Sequence, residues 1–318
     1  MAYEITITDP SGNLEATFVP EVGMVCSALR HNGEELLFQR DGIDAYVNDG
    51  SVFAIPLLHP WANRLRVWEF ELDGQQVKLD SEAKLVHRDP PTGTPIHGLL
   101  GASPHWTVID ADRDGLTAEL DFAAVPEYMA AFPFPHRVRY TATLKDLTLT
   151  IALTVAATGG RRVPVSFGFH PYLTLPGSDR RTWQIQLPVA HQALIDELMI
   201  PTGQFVEIAP GELDGPLGDR TFDTSFPALY TGGTFPAPYD GVAAPPPAFS
   251  VADDRRKITL THVQGYPVAQ VYASENSTFI CFEPMTAPVD ALLSGDGLRW
   301  VAPGEEFTAI FTVSVEDI

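Results

Sequence analysis

"VWEFELDGQQVKLD", residues 67–80, alternates large and polar side chains, reverses, and alternates again. Trp68, Phe70 and Leu72 share one side of an extended chain, Asp73-Gly74 supplies the positive φ of a tight turn, and Val77 and Leu79 carry the alternation back. That is the pattern of a β-hairpin. "ALRHNGEELLFQ" around Asn32-Gly33 and "WTVIDADRDGLTAELDF" around Asp114-Gly115 repeat it, and "RVRYTATLKDLTLTIALTV" predicts two strands joined at Lys145-Asp146.

The rest of the chain extends that reading. Twenty-eight prolines and 25 glycines punctuate the 318 residues, and few windows keep a helical period for more than two turns. The expected fold is therefore all-β, a large antiparallel β-sandwich, with residues 1–318 forming a single domain. The best candidate for a linker is "GGTFPAPYDGVAAPPPAFSV", residues 232–251, but strands resume with the same spacing on both sides, so it reads as a long surface loop.

Composition narrows the partners. A net charge of −21 argues against duplex nucleic acid or an anionic membrane surface, both of which demand clustered Lys and Arg. The opening "MAYEITITDPSGN" has neither a basic segment nor a long apolar one, so no signal peptide or membrane anchor is expected, and the chain reads as cytoplasmic. Cys26 and Cys281 lie in apolar runs and are expected to be buried free thiols. The nine histidines show no H-x-H or H-E-x-x-H spacing and there is no C-x-x-C, so no metal site is expected; the absence of a phosphate-cradling glycine loop gives a nucleotide cofactor no support either.

Four segments carry residues that could do chemistry. In "VPVSFGFHPY", Val163, Val165, Phe167 and Phe169 point one way and Ser166, Gly168 and His170 the other, so small residues are expected to leave space beside the His170 ring. Pro171 cannot donate to a ladder, and the strand is expected to end there. "STFICFEPMTAPVDAL" has the same grammar: Phe279, Cys281 and Glu283 share a face, a proline follows, and Glu283 is expected to end an apolar strand where desolvation raises its pKa. Asn63 and Arg64 in "PLLHPWANRLRVWEF" offer an amide and a planar fork for hydroxyl groups, and His97 in "PIHGLLG" stands before a turn glycine. Taken singly, each of these could also be structural: a histidine on a backbone carbonyl, a solvated glutamate, a surface ion pair.

Taken in order, "WANRL", "IHGLLG", "FGFHPYLTLPG" and "FEPMTAPVDAL" resemble the aldose 1-epimerase (galactose mutarotase) family over nearly the full length. The resemblance implies a supersandwich fold and cofactor-free interconversion of α and β sugar anomers. It makes Glu283 the base at the C1 hydroxyl, His170 the acid at the ring oxygen, and His97 a second active-site histidine. Asn63 and Arg64 match the family's "NR" that binds sugar hydroxyls, Asp223 in "LGDRTFDTSF" its substrate-binding carboxylate, with Asp219 the competing match, and Gln270 in "PVAQVYAS" an amide contact. The partner implied is a small-molecule sugar, and the chain is expected to be a monomer or homodimer. "YLTL" and "LLHPWANRL" depart from the family's better-known members around the sugar pocket, which touches substrate identity more than reaction type.

Three alternatives remain at this level. A hexose-6-phosphate epimerase would need a phosphate pocket, for which Arg161-Arg162 or "DRR" at 179–181 are the candidates. A sugar-binding protein would keep the pocket without turnover. A retaining glycosidase would pair Glu283 with a carboxylate such as Asp290.

Overall fold

The computed structural model describes residues 3–229 and 245–318, so residues 232–244 of the candidate linker lie outside the described residues. Strands dominate and nearly all pair antiparallel. The largest sheet has nine strands, in the order Thr107–Ala111, Gly115–Asp121, His136–Lys145, Thr148–Ala157, Glu306–Asp317, Arg256–Gln264, Ala248–Ala252, Gln184–Gln186 and Gly215–Pro216. A four-stranded sheet, Ile5–Thr8 to Glu34–Glu35, packs beside it, with the Phe18 ring 6.0 Å from Tyr140.

The hairpins form as their turn residues predict. Glu69–Leu72 pairs with Gln75–Lys78 across Asp73 (φ 51°) and Gly74 (φ 71°), and Val25–His31 meets Glu34–Glu35 across Asn32 and Gly33. One turn differs from expectation. Gly115 opens its strand, and the reversal before it is built by Asp112, whose carboxylate accepts from the backbone N–H groups of Asp114 and Gly115.

The sheet that matters for function has six strands: Phe222–Phe226, Val268–Ala273, Ile280–Met285, Gly168–Phe169 and Leu57–Leu58 in order, with Tyr172–Leu173 also paired to Ile280–Met285. Its inner side packs on the nine-stranded sheet, where Phe169 lies 5.0 Å from Phe311 and Phe282 lies 5.5 Å from Phe249. Phe169 and Phe282 thus lie at the seam between the layers, where their burial stabilises the packing of the two sheets. The side turned away from that seam carries the polar residues of the candidate site. Among the described residues no helix is long and apolar enough to cross a membrane, and Cys26 and Cys281 are buried and free.

Candidate active site

Register builds the site. Ser225 pairs with Gln270, and Gln270 with Glu283. The next strand pairs Gly168 with Met285 and Tyr172 with Cys281, and the equal count between these pairs sets His170 opposite Glu283. Four neighbouring strands therefore present Ser225, Gln270, Glu283 and His170 in one row, each buried. The row is possible because the ladder opens at its last step, where Pro171 and Pro284 lack N–H groups.

Two sequence expectations are corrected here. Glu283 does not end its strand: Ile280–Met285 continues through Pro284, and the carboxylate is 1% exposed. The strand of His170 resumes at Tyr172–Leu173 after its interruption. At Gly168 itself the neighbouring strand and Ala62 occupy the room a side chain would need. A Cβ there would stand 2.6 Å from the Pro284 carbonyl oxygen and 3.0 Å from the Ala62 Cβ, so glycine is what lets the strands approach.

His170 Nε2 lies 3.2 Å from Glu283 Oε1. Burial pushes the Glu283 carboxyl well above the usual carboxylate range, with nearby Asp223 adding to the rise and Arg64 opposing it. Burial likewise holds the His170 imidazole down at about 3, with Arg40 and Arg64 reinforcing it. Both shifts act in the same direction, favouring a protonated carboxyl beside a neutral imidazole over a carboxylate–imidazolium pair.

The other sequence candidates surround this pair. His97 meets His170 edge to face at 5.5 Å, and burial, followed by His170, His87 and Arg64, holds its pKa well below that of a free histidine. Gln270 Nε2 donates to Asp223 Oδ1 at 2.7 Å, and Arg64 Nη2 lies 3.6 Å from Asp223 Oδ2. Asn63 and His97 are both held at positive φ, 59° and 66°, and face each other through the His97 N–H donating to the Asn63 carbonyl at 3.0 Å. Such conformations cost about 1–3 kcal/mol in a non-glycine residue and persist where the surroundings fix them. Gly98 provides part of that fixing, because it packs against the His59 carbonyl, which accepts from Leu99 and Leu100.

Several buried polar atoms of this cluster have no partner within the described protein: Glu283 Oε2, His170 Nδ1, His97 Nδ1, Gln270 Oε1 and Ser225 Oγ. Native interiors rarely leave such atoms unpaired, and their clustering makes this the candidate site for a polar ligand.

Residues beyond the sequence candidates complete it. Asp89 receives the Arg64 Nε–H at 2.8 Å and so aims the guanidinium; only the fold reveals this pairing. Ser225 joins through register alone. Arg40 sits 5.7 Å over the Tyr172 ring, which stacks on His170 at 4.4 Å.

The remaining candidates are engaged elsewhere. Asp219 pairs with Arg181 at 2.9 Å, Asp290 with Arg66 at 2.5 Å, and Arg162 with Asp73 at 2.7 Å. Arg161 donates to the Asp73 carbonyl, and Arg180 donates to the carbonyls of Ser274 and Arg220.

The chain matches known proteins along its length. A family model described as aldose 1-epimerase matches residues 3–314. Similar solved structures include a galactose mutarotase-like protein from Clostridium acetobutylicum, with TM-score 0.80, 16% identity, and 100% of this chain and 99% of that one covered. The GalM/aldose epimerase homologue from C. elegans gives TM-score 0.78 at 17% identity, covering 100% of both chains. Galactose 1-epimerase from Lactobacillus acidophilus gives 0.71 at 13%, covering 100% of this chain and 99% of that one. At these identities the likeness establishes a shared galactose mutarotase-like fold.

Proposed function

Because the chain belongs to the aldose 1-epimerase family, we propose that it interconverts the α and β anomers of a free aldohexose by acid–base ring opening. The observation that carries this reading is the His170–Glu283 pair, two buried proton-transfer groups 3.2 Å apart among unpaired polar atoms. Anomer exchange needs that inventory: one proton leaves the C1 hydroxyl and one reaches the ring oxygen.

As sugar hydroxyls hydrogen-bond to Glu283, its ionised form gains support and its proton passes to His170 Nε2. The carboxylate then takes the C1 hydroxyl proton while the imidazolium protonates the ring oxygen, and the bond between C1 and that oxygen breaks to leave an open aldehyde. Rotation about the C1–C2 bond presents the other carbonyl face. Closure reverses both transfers and returns the pair to its starting state. His97 lies edge-on to His170 and serves the ring or carbonyl oxygen, while Asn63, Arg64, Asp223 and Gln270 hold the hydroxyl groups. No cofactor enters these steps.

Arg40 favours one variant of the substrate. Its exposed guanidinium has no carboxylate partner among the described residues and would suit an anionic substituent remote from C1, as in a hexose 6-phosphate.

Polarimetry on freshly dissolved α-D-glucose and α-D-galactose, and exchange NMR on glucose 6-phosphate, tests both. Wild type is expected to exceed the buffer rate, and Glu283→Gln and His170→Asn each to lose at least about a hundredfold of that excess. Sugar binding retained in Glu283→Gln with no acceleration in wild type would mean a binding protein.

A further inference from the structure

The strands that carry His170 and Glu283 lead outward to a second concavity. Tyr172 and Thr174 follow His170 on the same side of an extended chain, as Cys281 and Phe279 precede Glu283. The rings on this side are continuous: Phe279 lies 5.0 Å from Tyr172, 5.8 Å from Tyr272 and 4.9 Å from Phe38. Next comes Thr174, whose hydroxyl donates to the Thr278 carbonyl at 2.6 Å. There the segments 174–183 and 276–278 enclose a cavity of about 430 Å³. At a rise of ~3.3 Å per residue, Thr174 stands ~13 Å along the chain from His170.

The lining of the cavity selects a class of ligand. Arg180 and Arg181 are matched there by Asp179 and Asp219, and Arg181 already pairs with Asp219 at 2.9 Å, so the formal charges cancel. An anion would meet as many carboxylates as guanidinium groups. A neutral polyhydroxyl molecule instead finds both donors and acceptors, including Ser178 and Asn276. Arg180, only 9% exposed, contributes a buried Nε with no partner in the protein.

We infer that the cleft extends from the His170–Glu283 row across Phe279 into this cavity and takes an oligosaccharide. Its reducing-end sugar lies at His170 and Glu283, the following ring passes the half-buried Phe38 and Tyr272 rings that cover Phe279, and the outer end enters the cavity. This inference rests on the epimerase reading above for the position of the reducing end.

The test compares anomer exchange of glucose, maltotriose and cellotriose by NMR, with calorimetric binding of the same sugars, for wild type, Arg181→Ala, Asp219→Ala and Thr278→Trp. Thr278 is exposed at the cavity, so a tryptophan there fills the opening. Wild type is expected to show kcat/KM at least tenfold higher for one trisaccharide than for glucose. The three variants are expected to lose most of that ratio, each variant's own glucose rate serving as its fold control. Equal kcat/KM across chain lengths, or an advantage that survives all three substitutions, overturns the outer site. If no sugar, glucose included, is accelerated, the epimerase reading falls and the cavity is judged on binding. Trisaccharide binding tighter than glucose and lost in Thr278→Trp then supports the cavity, and binding no tighter than glucose overturns it.

Discussion

At the scale of single residues, the decisive feature is where one proton rests. An ion pair between His170 and Glu283 would have to be solvated by the protein, yet Glu283 Oε2 and His170 Nδ1 have no partner there. The desolvation penalty on two buried charges therefore exceeds their attraction, and the neutral pair is favoured. The expected outcome at pH 7 is an infrared band of a protonated carboxylic acid that disappears in Glu283→Gln. The ¹⁵N spectrum of His170 is expected to show a neutral imidazole in both proteins. An imidazolium signal in the wild type, lost in the variant, would show that the pair is ionic. The sequence makes the acid and base types legible, since each precedes a proline at the end of an alternating apolar run. It does not indicate which one holds the proton, because that depends on burial from all sides.

At the scale of elements, the hairpins and the aromatic seam are legible because a two-residue period and an Asx-Gly turn are local signals. Register between sequence-distant strands is not local. Ser225 and Gln270 are 45 residues apart in numbering and Asp89 is 25 from Arg64, so neither alignment leaves a mark in its own segment. The same reasoning explains why Glu283 looks like a strand end. A following proline is disallowed where the N–H must bond, but here it lies beside the opened step of the ladder. Gly168 keeps the strands at that step close, and Gly168→Ala is expected to cost ~1–3 kcal/mol through overpacking against Pro284 and Ala62. Because the strain falls two residues from His170, kcat is expected to drop by more than KM rises, by up to about a hundredfold for a displacement near 1 Å. Urea unfolding and steady-state kinetics on the one variant check both, and a loss of stability with kcat intact would detach the glycine from the site.

At the scale of the molecule, the buried histidines decide how the fold answers to acid. Burial holds His136 and His262 at about 4 and His170 at about 3, while His59 and His97 are pushed well below 6.5 as well. His59 Nε2 and His136 Nε2 meet at 2.7 Å, and the other nitrogen of His136, Nδ1, lies 2.6 Å from the Phe134 carbonyl oxygen, an arrangement suited to neutral rings. Between pH 6.5 and about 4 the unfolded chain binds protons at these positions and the folded chain does not, so stability falls as pH falls through that window. Each fully titrating histidine contributes ~1.4 kcal/mol per pH unit. Glu283, Glu35 and Asp290 work in the opposite direction, since a raised carboxyl pKa adds stability that is greatest at low pH and declines as pH rises, but with His87 also lowered they are three groups against six. The net slope is therefore several times ~1.4 kcal/mol per unit, enough to consume a stability of ~5–15 kcal/mol within a few units. Urea midpoints at pH 7.5, 6.5, 5.5 and 4.5 are expected to fall steadily below pH 6.5, and His262→Leu to flatten that fall by about one histidine's share. Midpoints constant down to pH 4.5 would mean that these histidines take up protons without leaving the fold, and that the interior around them admits charge.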